Sequence, residues 1–543
     1  MKNKIKKLLA SVIAFVVATG LVIGGATPVN ASSVKNETNH TYNVYQIFTG
    51  TQSATTGDTK LGDVVWGSAV STSANQTAFL TKIKNDDRFK LSGTNVFSAA
   101  STASDVASIL SDHNDLAEAF ANVAADYVRE NSITAYAIVN QNATTPDLTA
   151  GYYLFVDTHT AGTGEALNSA LLQVTNSSEG LTIEEKYTVP TPTKTIEDVQ
   201  PQTTNDDSST AGTVLHESDT TTEKDSAVAE IGDIVTFHLS AKLPSNLEDY
   251  DTYKFEFVDT LSSGLEYVSD QTPTVKIGDD QVTTGFSTIV PSSTNGNKLT
   301  ITWENIKSDT HAAKDKVVSV EYTAKVTNAA VTGTAGNSNS VVLNYSNNPN
   351  GEGEGSSTSK EVKVYTFKLN VVKHDDNNSG LAGAGFVLKN NAGNYYSYDV
   401  TNNIVKWVDN VESATQLYSH NDGKLYASAS EDDKDKREFT GLAEGSYTLQ
   451  EKTVPSGYNK ADDISFTIDA NATSENDNIT LITPNEPITL DESGDYNVTV
   501  TNTSGKILPS TGGIGTTVFY IAGGILIIGA AALLINRKKR ENA

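Results

Sequence analysis

Three residues far apart in the chain, Lys373, Glu451 and Asn502, each extend a row of apolar side chains at every second position. Phe367, Leu369 and Val371 lead into Lys373; Tyr447 and Leu449 lead into Glu451; Tyr496, Val498 and Val500 lead into Asn502. Side chains two apart on a β-strand share a face, so the pattern turns an amine, an acid and an amide toward a core. A lone lysine there must find a partner or lose its charge, because burial disfavours the ammonium. A neutral amine beside an amide can attack its carbonyl carbon. A new C–N bond to lysine forms, the bond to the amide nitrogen breaks, and ammonia leaves. A protonated carboxyl next to them would polarise the carbonyl and move the protons. The same residues also admit a plainer arrangement, with Lys373 reaching solvent at a strand end and Asn502 in the following loop.

A second set has the same character. Lys194 shares a face with Ile196; Asp233 stands in the row Ile231, Val235, Phe237, Leu239; and Asn339 leads the row Val341, Leu343, Tyr345, which ends on Asn347. The candidates are Lys194 and Asp233 with either Asn339 or Asn347 as the amide. Asp259, which continues Tyr253, Phe255 and Phe257, is the other acid. Some of these positions also suit strand-end turns.

The elements that must hold such sets are mostly strands. The chain is 37% hydrophobic, has no cysteine, and is rich in Ser, Thr and Asn, which excludes a disulfide framework and a thiolate metal site. Setting aside four lysines at the N-terminus, and four basic residues and Glu541 at the C-terminus, leaves 31 basic against 65 acidic residues. That balance disfavours nucleic acid. Residues 32–187 mix strands with a helical row at Leu116, Phe120, Val123 and Tyr127, and so form an N-terminal α+β domain. Residues 188–361 and 362–505 are strand-and-turn segments of β-sandwich size. The expected class is mainly β: tandem immunoglobulin-like sandwiches after an α+β domain. No histidine pair has metal-ligand spacing and no phosphate-binding glycine loop follows a strand. The run Glu431–Asp435 reads as a solvated loop that also has the oxygen ligands of a weak calcium site. No cofactor, metal or turnover enzyme is therefore expected.

The segment YTLQEKTVPSGY at 447–458 resembles the E-box of Gram-positive pilins. Val372–Asp375 and Leu381–Leu388 resemble the opening of the collagen-adhesin B-type pilin domain. Lys452 and Gly385 depart from the usual residues, outside the reacting positions. The resemblance implies that Lys373 is the nucleophile, Glu451 the acid/base and Asn502 the electrophile of an isopeptide bond. Residues 188–361 resemble the middle domain of isopeptide-forming fimbrial subunits, which implies the same for Lys194, Asp233 and Asn339.

Both ends carry addressing signals. Lys2, Lys4, Lys6 and Lys7, an apolar run to about Gly25, and Val29-Asn30-Ala31 read as a signal peptide cut after Ala31. Leu508-Pro509-Ser510-Thr511-Gly512 precedes an apolar stretch from Ile514 to Ile535 and the basic run Arg537–Arg540. This order resembles the LPxTG sorting signals read by sortase transpeptidases, implying cleavage after Thr511 and transfer of its carbonyl to an amine. Lys186 points outward on a strand whose inward residues are Leu181, Ile183 and Tyr187. It resembles the pilin-motif lysine of backbone pilins, although Glu185 stands where proline is frequent; an ordinary exposed lysine is the other reading. The resemblance implies a secreted, peptidoglycan-anchored pilus subunit, joined head-to-tail through Thr511 and Lys186. Its partners would be sortase, identical subunits, peptidoglycan, and beyond these minor pilins and a host ligand. A monomeric wall-anchored adhesin is the alternative.

Overall fold

The computed structural model describes residues 32–52, 60–167, 169–174, 181–183, 189–201, 213–215, 226–349, 351–472, 479–506 and 514–541.

In the first domain an antiparallel sheet runs in the order Leu61–Trp66, Tyr42–Gln52, Gly151–Asp157, Ser169–Val174, with Ala137–Val139 on the far half of Tyr42–Gln52. Helices Ser73–Asn85, Ala103–Asp112 and Ala117–Glu130 cover one face. The periodic row predicted here forms the last of them. Phe120, Val123 and Tyr127 are fully buried, packed with Phe48, Phe79 and Tyr152. Thr102 starts the middle helix with a reciprocal capping pair to Asp105, which satisfies two otherwise orphaned backbone donors. On the other face a smaller core gathers Val34, Tyr42, Val44, Tyr153 and Phe155. Strand Val34–Asn36 pairs in parallel with Leu181–Ile183, so the domain's entry and exit lie side by side.

The second domain is a sandwich. One sheet follows the order Pro192–Gln200, Ile234–Lys242, Val317–Val326, Thr274–Ile277, Asp280–Val282. The other follows Ser226–Val228, Lys360–Tyr365, Asn337–Ser346, Phe255–Leu261, Lys298–Trp303, Ser287–Ile289. Strict alternation of burial along Ile234–Lys242 and Asn337–Ser346 is the signature of sheets with one dry face. Lys360–Tyr365 pairs with Asn337–Val341. The expected division at 361/362 therefore falls inside a strand of this sheet, and the third domain starts at Phe367.

In the third domain Phe367–Asp375 lies between Phe439–Leu442 and Tyr496–Asn502. Its first and last strands are thus neighbours, parallel from Leu369↔Tyr496 to Asp375↔Asn502. The facing sheet is built on Gly385–Asn390, paired with Gly445–Thr453. A single core continues from the second domain into the third. At this junction Glu230 accepts a hydrogen bond from the Trp407 indole at 2.7 Å, and Ile231 packs against Gly441. Helix Ile514–Glu541 contains a span, Val518–Arg540, long and apolar enough to cross a membrane, with a mean hydropathy of 2.5.

Candidate crosslinking sites

The third domain gathers its expected set at one end of the paired first and last strands. Lys373, Glu451 and Asn502 are all buried. The Lys373 amine donates to the backbone carbonyls of His374 at 2.7 Å and Val500 at 3.1 Å, the latter two residues before Asn502 on the neighbouring strand. Glu451 comes from the opposite sheet. Its Oε1 accepts from Asn502 Nδ2 at 2.8 Å and its Oε2 from the Ala461 amide at 2.8 Å. Burial pulls the Lys373 amine down from 10.5 to about 8, against the opposing pull of Glu451 and Asp375. Asn502 Oδ1 is buried without a hydrogen-bond partner. The two ends of an amide are assigned by their hydrogen bonds. Here the Glu451 oxygen accepts from the NH2; with the amide turned over, a carboxyl O–H in the same place would donate to the carbonyl oxygen. The second arrangement is the one that activates the carbonyl carbon.

The second domain also builds a site around its lysine, with one change of membership. Lys194 is fully buried and paired with Asp259 Oδ1. Tyr322 donates its hydroxyl to Asp259 Oδ2, and Asn339 Nδ2 donates to the Tyr322 hydroxyl at 2.7 Å. Asn339 Oδ1, like that of Asn502, is buried without a partner. The lysine lies over the Phe237 and Tyr322 rings, 5.3 and 5.7 Å from their centroids, a cation–π environment. Burial lowers the Lys194 amine to about 8 and raises the Asp259 carboxyl, while each charge opposes the shift of the other. Asp233, the expected acid, is elsewhere. It accepts the Glu230 amide at 2.9 Å in the turn before its strand. Lys194 is registered opposite Leu239, six residues from Asp233, or about 20 Å along a strand. Asp233 is indeed inward-facing, but at the wrong end. Asn347 is excluded on the same ground: its backbone carbonyl accepts the Leu167 amide at the junction with the first domain, eight residues along the strand from Asn339. Tyr322 had no sequence signal beyond its inward place in the row Val318, Val320, Tyr322, Ala324, where a tyrosine ordinarily reads as core.

Lys186 and the sorting residues Leu508, Pro509, Ser510, Thr511 and Gly512, like the expected signal peptide, lie outside the described residues.

Comparison with known proteins agrees with both the strands and the C-terminus. Residues 367–480 match the SpaA family, a prealbumin-like fold domain, and residues 501–542 match the LPXTG cell wall anchor motif. No curated protein matches significantly. Among solved structures, the T6 backbone pilin of serotype M6 Streptococcus pyogenes, a modular three-domain protein, superposes with a TM-score of 0.51 at 15% identity. The alignment covers 89% of this chain and 100% of that one. More partial overlaps are found with the full-length major pilin RrgB of Streptococcus pneumoniae (TM-score 0.41, 14% identity, 67% and 85% covered). The pilus 2b backbone protein of group B streptococcus gives TM-score 0.38 at 25% identity, with 52% and 97% covered. The fold is that of a Gram-positive backbone pilin. The C-terminal segment is that of a surface protein linked to the cell wall.

Proposed function

We propose that this chain is the shaft subunit of a sortase-assembled pilus, polymerised head-to-tail and stiffened by two self-formed isopeptide bonds. The observation that carries the reading is the three-domain backbone-pilin fold in one chain with an LPXTG anchor. In each sandwich the first strand carries a buried lysine and a late strand a buried asparagine, with a buried acid bonded to the lysine in the second domain and to the amide in the third. In the third domain Lys373 attacks Cγ of Asn502 with Glu451 shuttling protons. In the second, Lys194 attacks Cγ of Asn339, with Asp259 in place of Asp233 as the acid and Tyr322 linking acid to amide. Each bond releases one ammonia. Sortase would cleave after Thr511 and pass its acyl group to Lys186 of the next subunit, and the last subunit would be passed to peptidoglycan. Such a heterologous, non-closing contact makes a fibre. Lys186→Ala tests this directly: the high-molecular-weight ladder of wall extracts should collapse to monomer. A wild type without a ladder would instead leave a monomeric wall-anchored adhesin.

A further inference from the structure

Outside the two crosslinking sites, the first domain brings together His40, His159 and Glu165. Their ligand atoms all lie within 4.8 Å of one another. His40 sits in the bend before Tyr42–Gln52, and its buried ring is fixed by Asp157, whose Oδ2 is 2.6 Å from Nδ1. Asp157 ends its strand opposite Tyr42, and its other oxygen accepts the His159 amide at 3.0 Å. With Nδ1–H donated to a carboxylate, the His40 ring presents Nε2 as a Lewis base. This is the arrangement in which a carboxylate orients a metal-ligating imidazole and raises its basicity. Glu165 Oε2 stands 3.7 Å from His159 Nε2.

We infer that His40, His159 and Glu165 form a site for a zinc-like divalent ion, with Asp157 orienting His40 and water completing the tetrahedron. Two imidazoles and one carboxylate select a borderline transition ion over calcium or magnesium, which take oxygen ligands. The His40 and His159 rings are stacked, with centroids 4.3 Å apart. Binding therefore swings His159 out of the stack while His40 stays fixed. The His159 side chain is 35% exposed against 1% for His40, so the ring that must move is the one at the surface. The consequence reaches beyond the first domain. The loop bearing Glu165 is bonded to the second domain three times: Gly164 N–H to the Ser356 carbonyl at 2.8 Å, Leu167 N–H to the Asn347 carbonyl at 2.7 Å, and Tyr345 OH to the Glu165 carbonyl at 3.3 Å. An ion held by His40 and Glu165 clamps that loop to the first domain's sheet, and so fastens the joint between the two domains.

The test is zinc titration of the tag-free mature chain, residues 32–511, by calorimetry, with a thermal melt at each end point. One zinc should bind reversibly to chelator and raise the melting temperature, with calcium and magnesium silent. His159→Gln and Glu165→Gln, both partly exposed and expected to fold, should each weaken zinc by at least about tenfold and abolish the thermal shift. Asp157→Asn should weaken it by about 10–100-fold. No saturable zinc binding by the wild type, or binding that His159→Gln leaves unchanged, overturns the inference.

Discussion

At Lys194 and Lys373 the chain places an amine where water does not reach, and the physics of that placement sets the chemistry. Lysine normally loses its proton near 10.5, and burial brings both groups to about 8. Below that value the neutral, nucleophilic fraction falls about tenfold per pH unit. Crosslinking of freshly refolded protein, followed by intact mass, needs the amine neutral and the carboxyl protonated at once, so its rate should pass through a maximum with pH and fall on both sides. An Asn339→Ala chain, which keeps Lys194 but cannot react, isolates the cost of burial. Between about pH 8 and 10.5 only its unfolded form holds the lysine proton. Its stability in urea should rise with pH across that window. The acids are separable by mass alone. The wild type should lack two ammonia molecules, Asp259→Asn and Glu451→Gln one each, and Asp233→Asn still two. A Asp233→Asn chain that regains an ammonia would restore the acid expected from alternation. That expectation failed for a definite reason: period-two patterning tells which face a side chain takes but not how far along the strand its partner lies. In the third domain the three rows end on residues that the fold brings to one end of the paired strands, with Glu451 bonded to Asn502.

Among elements, the legible ones were those with one dry face. The helix Ala117–Glu130 and the alternating strands of both sandwiches follow from period alone. The partner of Lys360–Tyr365 did not, because the Gly/Ser/Glu stretch before it has the composition of a linker although the chain returns to the same sheet. The cluster of His40, His159 and Glu165 was equally hidden: the two histidines are 119 positions apart and are brought together by the pairing of Tyr42 with Asp157. Two of the contacts at the junction of the second and third domains can be tested singly. Trp407→Phe removes the indole donor from buried Glu230 and should cost about 1–3 kcal/mol. Gly441 has φ +74°, and a Cβ there would meet Ile231 at 2.7 Å. Gly441→Ala should cost a similar 1–3 kcal/mol through strain and overpacking. In both variants, calorimetry should show the two sandwiches melting further apart than in the wild type. Lys373→Ala acts on a different quantity, the entropy of the unfolded chain. By analogy with a disulfide closing a loop of about 130 residues, it should lower the third domain's stability by about 5 kcal/mol. Trp407, the tryptophan of that domain, reports its unfolding.

For the whole molecule the C-terminal anchor motif decides where it is held and the sandwiches decide what it is like there. A chain stopped after Lys506 keeps all three domains but loses the anchor motif and the apolar helix. It should be found folded in the culture medium, and its recovery in the wall fraction would require another means of attachment. The parallel pairing of Phe367–Asp375 with Tyr496–Asn502 has a further consequence for length. The polypeptide enters the third domain at the start of one strand and leaves at the end of the other. A Lys373–Asn502 bond would short-circuit the path between them. The roughly 130 intervening residues, about 440 Å if drawn straight, could then never be paid out as slack. In a filament of such units that stretch would add nothing to the contour under load, so a bacterium held by it would be kept closer to whatever its far end had gripped.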